Sequence, residues 1–132
     1  MILVGYSFGA DALPAIYNRL PEAERARVVQ LSLLGLAATA SFEFHVAGWL
    51  GAPGRGELPV PPELARIDPR LVQCFFGADE KDSLCPTPAL EGAERIGTSG
   101  GHHFDGDYAA LAAKILAGAE RRRALLGTTP SR

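Results

Sequence analysis

The chain has 132 residues, enough for one modest core and too few for two ordinary domains. Its 47% hydrophobic and 21% charged residues are the balance of a soluble globular protein, and a net charge of −2 gives no basic footprint for nucleic acid. No apolar run reaches the roughly eighteen residues of a membrane span, and no basic segment precedes an apolar stretch that reads as a signal peptide.

Ile2 to Val4 is apolar and β-branched at two of three positions, the pattern of a buried parallel strand. A core strand with nothing before it suggests a fragment or a shortened gene model lacking amino-terminal strands. The strand runs into LVGYSFGAD, where Gly5-x-Ser7-x-Gly9 has nucleophile-elbow spacing: a strand turns sharply into a helix and the serine hydroxyl stands at the tip. Five residues alone do not separate a nucleophile from an ordinary serine in a glycine-rich turn.

From Ala10 to Leu20 the apolar positions Leu13, Ile16, Tyr17 and Leu20 recur at helical spacing; Pro14 sits in the first turn and Pro21 closes the segment. Val28 to Ala38 is a nearly continuous apolar run, the mark of a fully buried strand. Thr39 to Arg70 leaves the sheet: an aromatic cluster of Phe42, Phe44 and Trp49 precedes a Gly/Pro-rich stretch without period. Excursions this long are usually functional or disordered. The aromatics fit a cap over a substrate as well as they fit packing over a sheet edge.

Leu71 to Phe76 is the third apolar run, closed by Gly77 and followed by the acidic loop Ala78-Asp79-Glu80-Lys81-Asp82-Ser83. Glu94 to Gly97 reads as a fourth strand, followed by Gly100-Gly101-His102-His103-Phe104. Asp107 to Leu126 reads as a long helix with Tyr108, Leu111, Ile115 and Leu116 on its buried face and Arg121 to Arg123 solvated near its end. The expected organisation is a single partial α/β-hydrolase domain over 1–126, with a cap-like excursion at 39–70 and a frayed tail at 127–132. Strands alternating with helices, written as continuous apolar runs, point to a parallel sheet covered on both faces.

Three loops at the carboxyl ends of parallel strands meet along one sheet edge, where open α/β sheets place their ligands. Their order is Ser, then carboxylate, then His, which is the order of the α/β-hydrolase triad. A serine hydroxyl needs a histidine to take its proton, and the histidine needs a carboxylate to fix its tautomer. Ser7 is the expected nucleophile, with the Phe8 backbone N–H in the oxyanion hole. His102 is the expected base, because it directly follows the paired glycines and two adjacent side chains cannot both face the serine. Asp82 is favoured as the acid from its spacing to Pro86, with Asp79, nearer the strand end, as the alternative. The second oxyanion donor belongs to a loop after an earlier strand, which this chain does not contain. A metal site from the two histidines with Asp105 and Asp107 is the competing reading; no further ligand cluster supports it, and neither metal nor cofactor is expected.

Taken together, GYSFGAD, NRLP at Asn18 to Pro21, FEFHVAGWLG at Phe42 to Gly51, CFFGADEKDSLCP at Cys74 to Pro86 and GGHHFDGDY at Gly100 to Tyr108 resemble the bacterial virulence protein VirJ family, which includes the carboxyl-terminal half of AcvB. The resemblance runs from residue 2 to about residue 117. It implies a periplasmic α/β-hydrolase associated with type IV secretion, hydrolysing the ester between an amino acid and phosphatidylglycerol, lysyl-phosphatidylglycerol in particular. The family's serine falls on Ser7, its histidine on His102 and its acid within the GADEKDS loop. Residue types alone leave Cys74 and Cys85 as buried thiols or a disulfide; a periplasmic setting favours the disulfide, closing the acidic loop. Expected partners are a lipid or small ester, secretion-system proteins and a membrane surface, with Glu43 or Glu57 as candidate receivers of a lysyl ammonium. The alternatives are a non-catalytic component of a secretion system and a general carboxylesterase.

Overall fold

The computed structural model of the chain describes residues 1–41 and 57–127. Four strands form a parallel sheet in chain order: β1 (Ile2–Tyr6), β2 (Gln30–Leu34), β5 (Val72–Gly77) and β6 (Glu94–Thr98). Between β1 and β2 lie α1 (Phe8–Arg19) and the single turn α2 (Glu22–Arg25). After β2 the chain leaves the sheet through β3 (Thr39–Ser41), which pairs antiparallel with β4 (Glu57–Pro59), and continues into α3 (Val60–Leu64). The last element is α4 (Tyr108–Gly127). The expected α/β class, a parallel sheet flanked by helices, is therefore what the chain forms.

Side-chain alternation along β2 and β5 divides the core. Leu31, Leu33, Val72 and Cys74 join Ala10, Leu13, Val60 and Leu64 in one cluster with α1 and α3, whereas Leu34 and Phe75 meet Phe104 and Leu111 in a second. Full burial of Phe75 contributes roughly 2–3 kcal/mol. The run expected as a strand from Val28 to Ala38 keeps strand geometry only over Gln30–Leu34. Its fully buried Gln30 and Ser32 are matched by Gln73: the Gln30 amide donates to Ser32 Oγ (2.9 Å), Gln73 Oε1 (3.2 Å) and the Ile115 carbonyl (2.9 Å), and Ser32 Oγ donates to Gln73 Oε1 (2.9 Å).

That polar seam corrects the expected face of the long helix. Tyr108 and Leu116 are 57% and 59% exposed; the face that docks is Leu111, Ile115, Gly118, Ala119 and Arg122. A Cβ at Gly118 would meet the Gln73 amide nitrogen at 2.5 Å, so the helix approaches closely enough for Gln73 Nε2 to reach the Lys114 carbonyl at 3.1 Å. Arg122, expected in solvent, is drawn in: its side chain is 14% exposed and its Nη1 donates to Gln30 Oε1 (2.7 Å) and Glu94 Oε1 (3.1 Å). On the opposite sheet face Glu63 of α3 accepts from Asn18 Nδ2 (2.9 Å) and Arg19 Nη1 (3.2 Å), tying α3 to α1. Burial pushes the Glu63 carboxyl up, but the hydrogen bonds from Asn18 and Arg19 and the charges of Arg19 and Arg66 outweigh it and hold it below the usual glutamate value.

Candidate active site

Ser7 links β1 to α1. It occupies the helix N-cap with φ 56° and ψ −119°, a left-handed conformation that a residue with a Cβ adopts only where its surroundings enforce it. The enforcement is visible: Ser7 N–H donates to the Leu34 carbonyl of β2 at 2.8 Å, and the Ser7 carbonyl accepts from Ala10 and Asp11 N–H at 3.0 and 3.1 Å. Of the two elbow glycines, Gly5 is sterically required, since a Cβ there would run into the Gly9 carbonyl; a Cβ at Gly9 would meet nothing within 4 Å. The elbow is therefore crowded on the Gly5 side of the serine and open on the Gly9 side.

His102 lies in the loop after β6. Its Nε2 is 2.9 Å from Ser7 Oγ, and its Nδ1 is 2.9 Å from Glu80 Oε2. The carboxylate that meets the histidine is therefore Glu80, in place of Asp82 or Asp79, which are both exposed along the rim of the adjoining cavity. A turn decides the choice: Glu80 N–H donates to the Gly77 carbonyl (2.9 Å), and its carboxylate returns to accept from Gly77 N–H (2.8 Å). One oxygen is thus fixed by its own loop and the other is aimed at Nδ1. The Glu80 side chain is 11% exposed and that of His102 41%.

The acidic loop is pinned on both sides. Ala78 and Asp79 N–H donate to the Thr98 and Gly100 carbonyls at 2.7 and 2.9 Å, joining it to the histidine loop. Cys74 of β5 and Cys85 beyond the loop form a disulfide with Cα atoms 5.6 Å apart, and Leu84 N–H donates to the Leu36 carbonyl at 2.9 Å. Gly35, at φ 75°, lies beneath the His102 ring, where a Cβ would approach Cε1 to 2.6 Å. Asp11 of α1 accepts from Ala37 N–H at 2.7 Å; burial raises its carboxyl above the usual aspartate value, against the opposing pull of that N–H and of His102. A cavity of about 420 Å³ borders His102 between Gly35–Ala37 and Asp79–Asp82.

His103 turns away from Ser7 toward Tyr6, with Nδ1 3.0 Å from the phenolic oxygen. Phe8 opens α1 beside Ser7 and is partly exposed, at 46%. Phe42, Glu43, Phe44 and Trp49, the aromatic cluster and one candidate receiver of a substrate cation, lie outside the described residues; the other candidate, Glu57, is exposed at the start of β4. Among the described residues no group of three or more His, Cys, Asp or Glu side chains is arranged to hold a metal ion, and no helix is long and apolar enough to cross a membrane.

Fold and site together define an α/β protein that presents a Ser–His–Glu hydrogen-bonded chain at the carboxyl edge of a parallel sheet. Residues 1–123 match the model of the family described as bacterial virulence protein (VirJ), and the chain belongs to that family. No curated protein and no solved structure matches it.

Proposed function

We propose that the protein is a serine hydrolase that cleaves an ester by acyl transfer. The observation that carries this reading is the unbroken chain from Ser7 Oγ through His102 to Glu80, with both contacts at 2.9 Å. With the imidazole proton on Nδ1 and shared with Glu80, Nε2 is free to take the Ser7 proton as Oγ attacks the ester carbonyl. The Phe8 N–H, at the amino-terminal end of α1, faces the developing oxyanion, and the helix dipole adds to it. The imidazolium returns its proton to the departing alcohol, and a water activated by the same nitrogen then cleaves the acyl-serine. Glu80 keeps its negative charge throughout and stabilises the imidazolium.

The substrate we propose is an aminoacyl ester of phosphatidylglycerol, lysyl-phosphatidylglycerol in particular, hydrolysed in the periplasm. Membership of a bacterial virulence family supports this, as does a disulfide, which suits an oxidising compartment. Among the charged residues that line the cavity beside His102, Asp79, Glu80 and Asp82 outnumber Lys81, a balance that suits an ammonium-bearing acyl group. The test is covalent labelling by a fluorophosphonate probe, followed by turnover of lysyl-phosphatidylglycerol against a short-chain neutral ester. Labelling at Ser7, abolished in Ser7→Ala, with preference for the lysyl lipid is the expected result. An unlabelled Ser7 would favour a non-catalytic role in a secretion system, and equal turnover of both esters a general carboxylesterase.

A further inference from the structure

The histidine loop carries an unusual amount of backbone strain. Phe104 and Asp105, directly after the histidine pair, both have positive φ (53° and 55°) without being glycine. Such conformations persist only where the surroundings over-determine them. Ser99 Oγ donates to Asp105 Oδ2 at 2.8 Å and the Phe104 ring is buried against Leu34, Phe75 and Leu111, which fixes the far side of the loop. Neither contact sets its distance from Ser7.

Tyr6 does that. It immediately precedes Ser7 on β1, its hydroxyl donates to the His102 carbonyl at 3.1 Å, and the same oxygen lies 3.0 Å from His103 Nδ1. Its ring lies 5.4 Å from that of His102, tilted by 30°. A phenol has one proton; spent on the carbonyl, it leaves the oxygen to accept, so His103 contributes Nδ1–H. Desolvation, with Tyr108 and Glu80 nearby, raises the Tyr6 pKa above the ordinary tyrosine value, which keeps that proton in place.

We propose that Tyr6 is a positioning residue that clamps the histidine loop to the nucleophile strand, and that the adjacent histidines divide the work: His102 faces Ser7, and His103 anchors the loop through Tyr6. This rests on the serine-hydrolase reading of the same site and adds to it the residue that sets the Ser7–His102 distance. The clamp acts on the backbone of the base itself, so a small displacement is passed directly to Nε2.

Tyr6→Phe retains the ring and removes the hydroxyl. Two readouts are taken on the full chain: the rate of fluorophosphonate labelling at Ser7, and the sharpness of the proton NMR resonance of His102 Nδ1–H, which needs no substrate. The clamp predicts labelling about tenfold slower, the rate equivalent of one hydrogen bond, and an exchange-broadened resonance at a nearly unchanged melting temperature. A merely structural role would lower the melting temperature and leave the resonance sharp. Wild-type labelling together with a sharp resonance in Tyr6→Phe overturns the proposal. If that variant does not fold, His103→Ala decides in its place: a broadened resonance supports the clamp and a wild-type one overturns it. If the wild-type protein is not labelled at all, the hydrolase reading fails, while the resonance comparison still decides the clamp.

Discussion

Glu80→Gln tests the site most directly, because it removes one charge with little change in size. In the folded protein Glu80 Oε2 lies 2.9 Å from His102 Nδ1, so an imidazolium formed during proton transfer faces a carboxylate at contact distance. The histidine is partly exposed, which calls for an effective dielectric constant of about 40; at 2.9 Å this gives roughly 3 kcal/mol of lost stabilisation, or about a hundredfold in rate. A second effect adds to it. The glutamine amide can donate to Nδ1, which puts the ring proton on Nε2 and leaves nothing to accept the Ser7 proton; wrong-tautomer substitutions of this kind cost up to about 10⁴-fold. Labelling of Ser7 by the fluorophosphonate probe should therefore slow by about 10²–10⁴-fold, with circular dichroism unchanged. Asp82→Asn and Asp79→Asn, both at exposed positions, should stay within about threefold of wild type. Collapse of labelling in Asp82→Asn with Glu80→Gln unaffected would refute the assignment of Glu80.

Gly35→Ala places a Cβ against His102 Cε1 at a position with φ 75°; the expected outcome is a fold weakened by about 1–2 kcal/mol and a larger loss of labelling, since the ring must shift off Ser7. Removing the disulfide by Cys74→Ser with Cys85→Ser opens a loop whose ends are 11 residues apart, which should cost about 3 kcal/mol in thermal or urea unfolding and reduce labelling through Glu80. The folded-state pKa of Glu63 lies below its unfolded value, so its contribution is complete above the ordinary glutamate value of about 4.3 and is lost as pH falls through the lower folded value. Glu63→Gln should cost about 1–2 kcal/mol at neutral pH and flatten that acid limb in urea titrations. Asp11, shifted upward, acts in the opposite sense, so the comparison is wild type against Glu63→Gln; parallel pH curves would contradict the assignment.

The two inner strands were legible because burial on both faces writes them as the apolar runs at Val28 and Leu71; the edge strands at Ile2 and Glu94 also form, though Val4 is exposed and Glu94–Thr98 alternates in burial. The long helix was legible in extent and only partly in orientation: Leu111 and Ile115 dock as expected, Tyr108 and Leu116 do not. Its apolar period selected Tyr108 and Leu116, whereas polar contacts from Gln30 and Gln73 to the Ile115 and Lys114 carbonyls hold the helix in another rotation. Hydrophobic periodicity cannot register a buried amide seam. In the site, Ser7 and His102 were readable from glycine spacing and loop order, and they meet at 2.9 Å. Glu80 was not, because three carboxylates share one short loop and a turn closed by Gly77 decides which of them points inward.

By itself the sequence determined the class of fold, the chain order of serine, carboxylate and histidine, and a family resemblance that the match over residues 1–123 bears out. These depend on local backbone preference, apolar patterning and residue identity, all of which are properties of neighbours along the chain. Tertiary structure alone decided that Glu80 meets His102, that His103 meets Tyr6 and that Arg122 lies inward, and it joins the two cysteines that residue types left open and the family resemblance favoured as a disulfide. Each of these joins groups from separate elements at distances of a few ångströms. A shift of one residue in a turn, or a rotation of one helix, replaces one polar partner with another while leaving the apolar pattern of the chain unchanged.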